Sequence, residues 1–308
     1  MGLTLKGKFA ALIMESCTGW SLVDDTSDQI DQVTVTFNAS QFASLPPYGT
    51  AYEVFIHGVS RGTGWKIVGS SIDGNDMMSI KLSTVEKYGQ IKERKTTSYV
   101  QKTLLEIVTD VIKPCGYQVS VAPSLANLKL DAFRKDESAG DFLNRLAKDH
   151  AAVSKPINGV WHFKPKHDTT TTSGKQKPTV IIDQSVGKVR IVLSESAHDK
   201  FQGVKVSYYD EDKGELIDVV RGSYPFDDRG TVVKGQAMEI IATYEKAHQN
   251  ARQSVSVDIP THDPRVGMAF AQGVLSVDYG RFIKGVFVID SVSMNPRTTT
   301  IKASKPND

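Results

Sequence analysis

Three short runs carry residue types that could do chemistry. Gly58-Val59-Ser60-Arg61-Gly62 matches the G-x-S-x-G nucleophile elbow, which exposes a serine hydroxyl on a sharp turn from a strand into a helix. A strand precedes it, but Thr63-Gly64-Trp65 leads into another strand, so the run reads as a glycine-rich β-loop. Asp210-Glu211-Asp212-Lys213-Gly214 opens like a calcium loop, whose sixth and twelfth positions should be Gly and a bidentate Glu. Those positions hold Glu215 and Arg221, and a solvated hairpin tip is the better reading. Lys92, Arg94 and Lys95 with Tyr99 and Lys102 combine cations and an aromatic as a phosphate site would; a solvated face fits them better, and a protein contact stays open. His162 and His167 lack HExxH spacing and the other five histidines are scattered, so no metal site is expected. His150 reads as a core-edge residue, and Asp24-Asp25 and Asp227-Asp228 as turn residues. No residue is nominated as catalytic, cofactor-binding or metal-binding, no cofactor is expected, and the interface residues stay unassigned.

The elements around these runs define three blocks. Over 1–90, period-two alternation at Val33, Val35 and Phe37 and at Tyr52, Val54 and Ile56 predicts antiparallel strands forming a small β-barrel. Asp73-Gly74-Asn75-Asp76 is turn chemistry between two apolar arms. Over 91–168 the period becomes helical at Leu104, Ile107, Val108, Val111 and Ile112, behind a Thr103/Glu106 capping box. Ser138 and Asp141 cap a second helix with Phe142, Leu143, Leu146 and Ala147 on one face. Short strands at Val119–Val121 and Val160–Phe163 complete an α/β domain. Residues 169–182 read as a polar linker, and 183–308 as a second β-barrel interrupted by a helix over about 236–253. The fold class is thus β-rich α+β: two related small antiparallel β-barrels flanking an α/β insertion.

That relation rests on a weak internal repeat. A displacement of 221 residues lays Gly64–Ser83 on Gly285–Ser304 without a gap, matching Gly64/Gly285, Ser70/Ser291, Ile80/Ile301, Lys81/Lys302 and Ser83/Ser304.

Composition is that of a foldable chain: 308 residues, 40% hydrophobic, with 37 basic and 35 acidic side chains. The net charge of +2 conceals blocks of −3 (1–90), +6 (91–178) and −1 (179–308). The longest apolar run near the start, Phe9–Met14, is shorter than a signal-peptide core, and no stretch reaches membrane-helix length. Folding in the cytoplasm without membrane insertion is expected. Cys17 and Cys115 are too far apart in sequence to suggest a CxxC site or a disulfide framework.

A family resemblance emerges in the middle block. Ile91-Lys92-Glu93-Arg94, Lys102–Ile107, Val121–Ala126, Asp136-Glu137-Ser138 and Phe142–Ala147 resemble the late-control D family of contractile phage tails. Leu45–Thr50 resembles the family's first barrel, and Gly203–Tyr209 with the Gln236–Arg252 helix its second. Lys284–Ile289 with Thr298-Thr299-Thr300 resembles the closing hairpin. The short segment between Tyr209 and Gln236 departs from the pattern. The resemblance implies a baseplate hub, similar to the N-terminal part of type VI secretion spikes, located in the virion tail and assembled in the bacterial host cytoplasm. It implies a homotrimer between a six-fold tail tube or tube-initiator protein and a trimeric spike, with the tape-measure protein as a further contact and no specific nucleic-acid sequence. A tail-associated cell-wall hydrolase and a nucleic-acid-binding barrel are the competing readings.

Overall fold

Alternation becomes strand where one face is covered. In Gln32–Asn38, Val33, Val35 and Phe37 are fully buried and the residues between them are half-buried; Tyr52, Val54 and Ile56 do the same in Ala51–Ile56. The computed structural model describes all residues except 1, 27–30, 86–88, 171–174, 196–202, 225, 233–236, 239, 243–252 and 306–308.

Two six-stranded units share one strand order. The first runs Leu3–Gly7, Ala51–Ile56, Trp65–Ile72, Met77–Ser83, Gln32–Asn38, Cys17–Asp25; the second runs Thr179–Asp183, Val274–Tyr279, Ile283–Met294, Thr298–Ser304, Gln253–Pro260, Arg190–Glu195. Met77–Ser83 corresponds to Thr298–Ser304, 221 residues on, as the sequence offset predicts. The preceding arm does not keep that offset. Bulges at Ile67/Gly69 and Ile289/Ser291 place Ile67 on Ile289, 222 residues on. The reason is the turn: Asp73–Asp76 separates the arms of the first hairpin, and the shorter Asn295–Arg297 those of the second. Asp73 and Asn295 nevertheless organise their turns alike, each accepting two backbone N–H bonds with its side-chain oxygen. A one-residue slip exchanges the faces of a strand, and burial agrees with the longer offset: Trp65 and Ile67 are buried as Phe287 and Ile289 are.

The units differ at one edge. Leu3–Gly7 is antiparallel to Ala51–Ile56, whereas Thr179–Asp183 is parallel to Val274–Tyr279. The second unit is therefore not wholly antiparallel as expected: its first strand arrives from the insertion and runs along the edge in the other direction. Between the units, Leu22–Asp25 pairs antiparallel with Ser291–Met294. With the short strand Val59–Ser60 beside Ala51–Ile56, this gives one thirteen-stranded sheet among the described residues and one apolar core drawing on both units.

The insertion has its own core. Helix Leu104–Ile112 starts at the predicted capping box, with Glu106 N–H donating to Thr103 Oγ1 at 3.2 Å and Thr103 N–H to Glu106 Oε2 at 2.8 Å. Helix Ala139–Asp149 starts at Ser138. They pack with strands Gln118–Val121, Ala152–Ile157 and Val160–Pro165 and with the ribbon Lys95–Thr103/Lys129–Glu137. Within 183–308, strands Gly203–Asp210, Glu215–Gly222 and Phe226–Val232 form a separate sheet over a small core with Ala237, Ile240 and Ile241. Of the helix expected over 236–253, residues 237–238 and 240–242 are helical; Tyr244, Ala247, His248 and Ala251 lie outside the described residues.

Thr103→Ala removes the hydroxyl that accepts the Glu106 N–H, one half of the capping box, so it should cost about 1 kcal/mol of unfolding free energy, read from the urea midpoint at unchanged slope.

Candidate functional interface

The polar groups that the fold brings together lie where the two β-units and the insertion meet. Arg61, in the Gly58–Gly62 loop, is buried. Its guanidinium donates to the carbonyls of Val266 (3.1 Å), Gly267 (3.2 Å) and Ala269, and lies 4.0 Å from the centre of the Phe270 ring. A planar fork of donors that also stacks is a property of Arg and not of Lys. Trp65 Nε1 donates to the Arg61 carbonyl, and His57 Nε2 is hydrogen-bonded to the Thr261 carbonyl. The loop from the first unit therefore clamps the Pro264–Met268 turn of the second.

Lys155, on insertion strand Ala152–Ile157, reaches across to the first unit. Its Nζ lies 2.8 Å from Asp24 Oδ1 and 3.1 Å from Asp31 Oδ2, and donates to the Asp25 carbonyl at 3.2 Å. All three charged side chains are at most 14% exposed. Asp24 Oδ2 also accepts the Ala271 N–H at 3.0 Å. Burial opposes ionisation of Asp24, yet Lys155 and the Ala271 N–H outweigh it and hold the carboxyl below its usual range. Burial, reinforced by the charge on Asp24, pushes Asp31 up to about 7 despite Lys155. Burial works against the Lys155 ammonium too, but two carboxylates raise its pKa.

Gln272 completes the junction. It is 1% exposed, and its Nε2 donates to the carbonyls of Pro165 and Lys166, each at 3.3 Å. Lys166 pairs with Asp290 at 3.5 Å, and Lys177 Nζ donates to the Ala271 carbonyl at 3.2 Å. Segment 266–272 is thus held by Arg61 and Asp24 of the first unit and by contacts to the insertion.

The sequence candidates fall elsewhere or acquire other roles. Ser60 donates to Glu53 Oε1 and accepts the Gly62 N–H, and the chain after it enters strand Trp65–Ile72, so the loop is not an elbow. Its working residue is Arg61. Asp24 and Asp25 close strand Cys17–Asp25, and Asp227 and Asp228 lie inside strand Phe226–Val232, correcting the turn assignments. Asp210 Oδ1 instead accepts the Asp212 N–H, and Gly214 N–H returns to the Asp210 carbonyl, at the hairpin tip. In the basic run, Arg94 pairs with Asp136, Lys95 with Glu93 and Lys102 with Glu106, while Tyr99 is buried on Phe142. Burial lowers His150 and His162 to about 4, so both are neutral near pH 7. Among the described residues, no group of three or more His, Cys, Asp or Glu could hold a metal ion.

No family model matches the chain. Over 189 residues it is 27% identical to the "Probable baseplate hub protein" of Escherichia phage P2, a stretch covering 57% of this chain and 47% of that protein. The chain thus spans about half the length of this curated relative. Its fold is similar to that of a tail protein from Neisseria meningitidis MC58, with TM-score 0.69 at 12% identity over 99% of this chain and 96% of that one. An E. coli type VI secretion component, itself described as similar to the T4 tail proteins gp27 and gp5, gives TM-score 0.59 at 10% identity over 99% of this chain and 77% of that one. The two solved structures share the fold of this chain. The junction at Arg61, Lys155 and Gln272 fixes how the β-units and the insertion sit against one another.

Lys155→Met should leave Asp24 and Asp31 as buried carboxylates without their counter-ion, costing about 3–5 kcal/mol at pH 8. Both carboxyl pKa values then rise in the folded state, which binds more protons than the unfolded chain, so stability is regained as pH falls. Urea titrations at pH 8 and pH 5 should show the smaller loss at pH 5; equal losses would contradict the ion-pair account. Arg61→Leu should cost about 2–4 kcal/mol by orphaning buried carbonyls, measured in the same way.

Proposed function

We propose that this chain is a structural hub of a contractile phage tail or phage-tail-like particle, working by assembly and not by catalysis. Three copies form a ring in which six related β-units face a six-fold tail tube or tube-initiator protein, while the three-fold body receives a trimeric spike. The tape-measure protein is a further neighbour in the tube. The chain works as a first β-unit (1–90), an insertion (91–168), a connection and a second β-unit to 308; of the connection expected over 169–182, the end is already strand Thr179–Asp183 of the second unit. It is assembled in the bacterial host cytoplasm and resides in the virion baseplate.

The observation that carries this reading is the matched strand order of the two units. One chain with two similar units reconciles three copies with six positions, which a single unit per chain could not do at three-fold symmetry. The hub relative and the tail-protein folds support the setting. A large interface between copies would be built from strand edges and apolar patches rather than from one reactive side chain.

Native mass measurement of the purified chain, alone and with the products of neighbouring genes, should give three times 33.7 kDa or a complex containing that trimer. Only monomer or dimer, with spike and tube proteins present, would refute the ring.

A further inference from the structure

The joint between the two β-units can serve as a template for a second joint, because both of its halves recur elsewhere in the chain with one edge left unpaired among the described residues. In the observed joint, Leu22 pairs with Met294, Val23 with Ser293 and Asp24 with Val292. On the Met294 side, the matching bulges put Ser70, Ser71 and Ile72 where Val292, Ser293 and Met294 stand. On the Leu22 side, Leu22 is opposite Val33 in the first unit and Leu193 is opposite Val255 in the second, so Leu193, Ser194 and Glu195 correspond to Leu22, Val23 and Asp24.

The backbone beside the joint repeats as well. Gln272 N–H donates to the Ile289 carbonyl and Ile289 N–H to Gly273; likewise Gly49 N–H donates to Ile67 and Ile67 N–H to Thr50. Gln272 and Gly49 share a left-handed backbone, with φ of 60° and 80°. Tyr48 therefore occupies the place of Ala271, whose N–H is bound by Asp24.

The two copies of the joint differ in what covers them. Met294 is 2% exposed, whereas its counterpart Ile72 is 50% exposed. Leu22 is likewise 2% exposed, and Leu193 only half-buried. Among the described residues, Arg190–Glu195 ends the sheet and Ser70–Ile72 has a strand neighbour on one side only. An unpaired edge with an exposed apolar side chain is a template for another chain.

We infer that strand Arg190–Glu195 of one copy pairs antiparallel with Ser70–Ile72 of the next copy of this chain, with Leu193 opposite Ile72, Ser194 opposite Ser71 and Glu195 opposite Ser70. The Glu195 carboxylate takes the Tyr48 N–H of the neighbour as Asp24 takes that of Ala271. The contact is head-to-tail, so it closes a ring when the rotation allows, and it rests on the ring reading above.

The test places Ser71→Cys and Ser194→Cys together in a Cys17→Ser, Cys115→Ser background. Opposed residues of an antiparallel pair lie within about 4.5–5.5 Å between Cβ atoms, close enough for a disulfide after slight adjustment. Mild oxidation should convert most of the protein into covalent multimers ending at three chains. Each single variant, and Ser71→Cys with the out-of-register Arg190→Cys, should stay at background. Ser70→Cys with Glu195→Cys supplies an independent in-register pair. A native trimer that neither in-register pair links overturns this edge pairing and leaves the ring intact. A chain that stays monomeric or dimeric at high concentration even with spike and tube proteins present overturns the ring, and this inference with it.

Discussion

Backbone pairing of Leu22–Asp25 with Ser291–Met294 turns two six-stranded units into one sheet. Without that pairing each unit would end in an exposed edge, a row of unsatisfied N–H and C=O groups that must find partners or water. With it, Leu22 and Met294 are sealed, and the residues of both units pack as one apolar core. The Arg61 clamp and the Asp24–Lys155 pair stand on this joint, since each needs the segment 266–272 and the end of strand Cys17–Asp25 at a defined separation.

The polar junction adds definition more than stability. Moving two carboxylates and an ammonium out of water costs several kcal/mol per ion, which mutual attraction and hydrogen bonds only offset. What such a cluster does well is penalise misalignment: a shifted insertion would leave buried charges unpaired. Arg61 works on the same principle with neutral partners, because its fork satisfies three carbonyls of an irregular turn that no strand could reach. The two β-units and the insertion are thereby held in one arrangement.

Much of the architecture was legible in side-chain period. Val33, Val35 and Phe37, or Leu104 through Ile112 behind Thr103, declare strand and helix because burial of one face demands that spacing. The ribbon Lys95–Thr103/Lys129–Glu137 was not legible: in Lys95–Thr103 only Tyr99 is buried, so charged residues and threonines dominate a strand whose pairing is nearly all backbone. Nor was the separate sheet over 203–232, whose alternation looks like that of any other strand. The repeat was visible as a 221-residue offset, but the turn one residue shorter at Asn295–Arg297 hid the slip that separates the two arms.

The sequence by itself determined most strands of the β-units, the two insertion helices and their caps, because these follow from periodicity and local hydrogen bonding within a few residues, and it showed the doubled β-unit through the repeat. Only the tertiary structure decided the junction. Lys155 meets Asp24 across 131 positions and Arg61 meets Val266 across 205, and nothing local to a lysine or an arginine marks it for burial. Asp24 reads as a turn residue until Ala271 and Lys155 are placed beside it. Which edges are covered and which are open is likewise a property of register, and register is fixed by partners that lie far away in the chain.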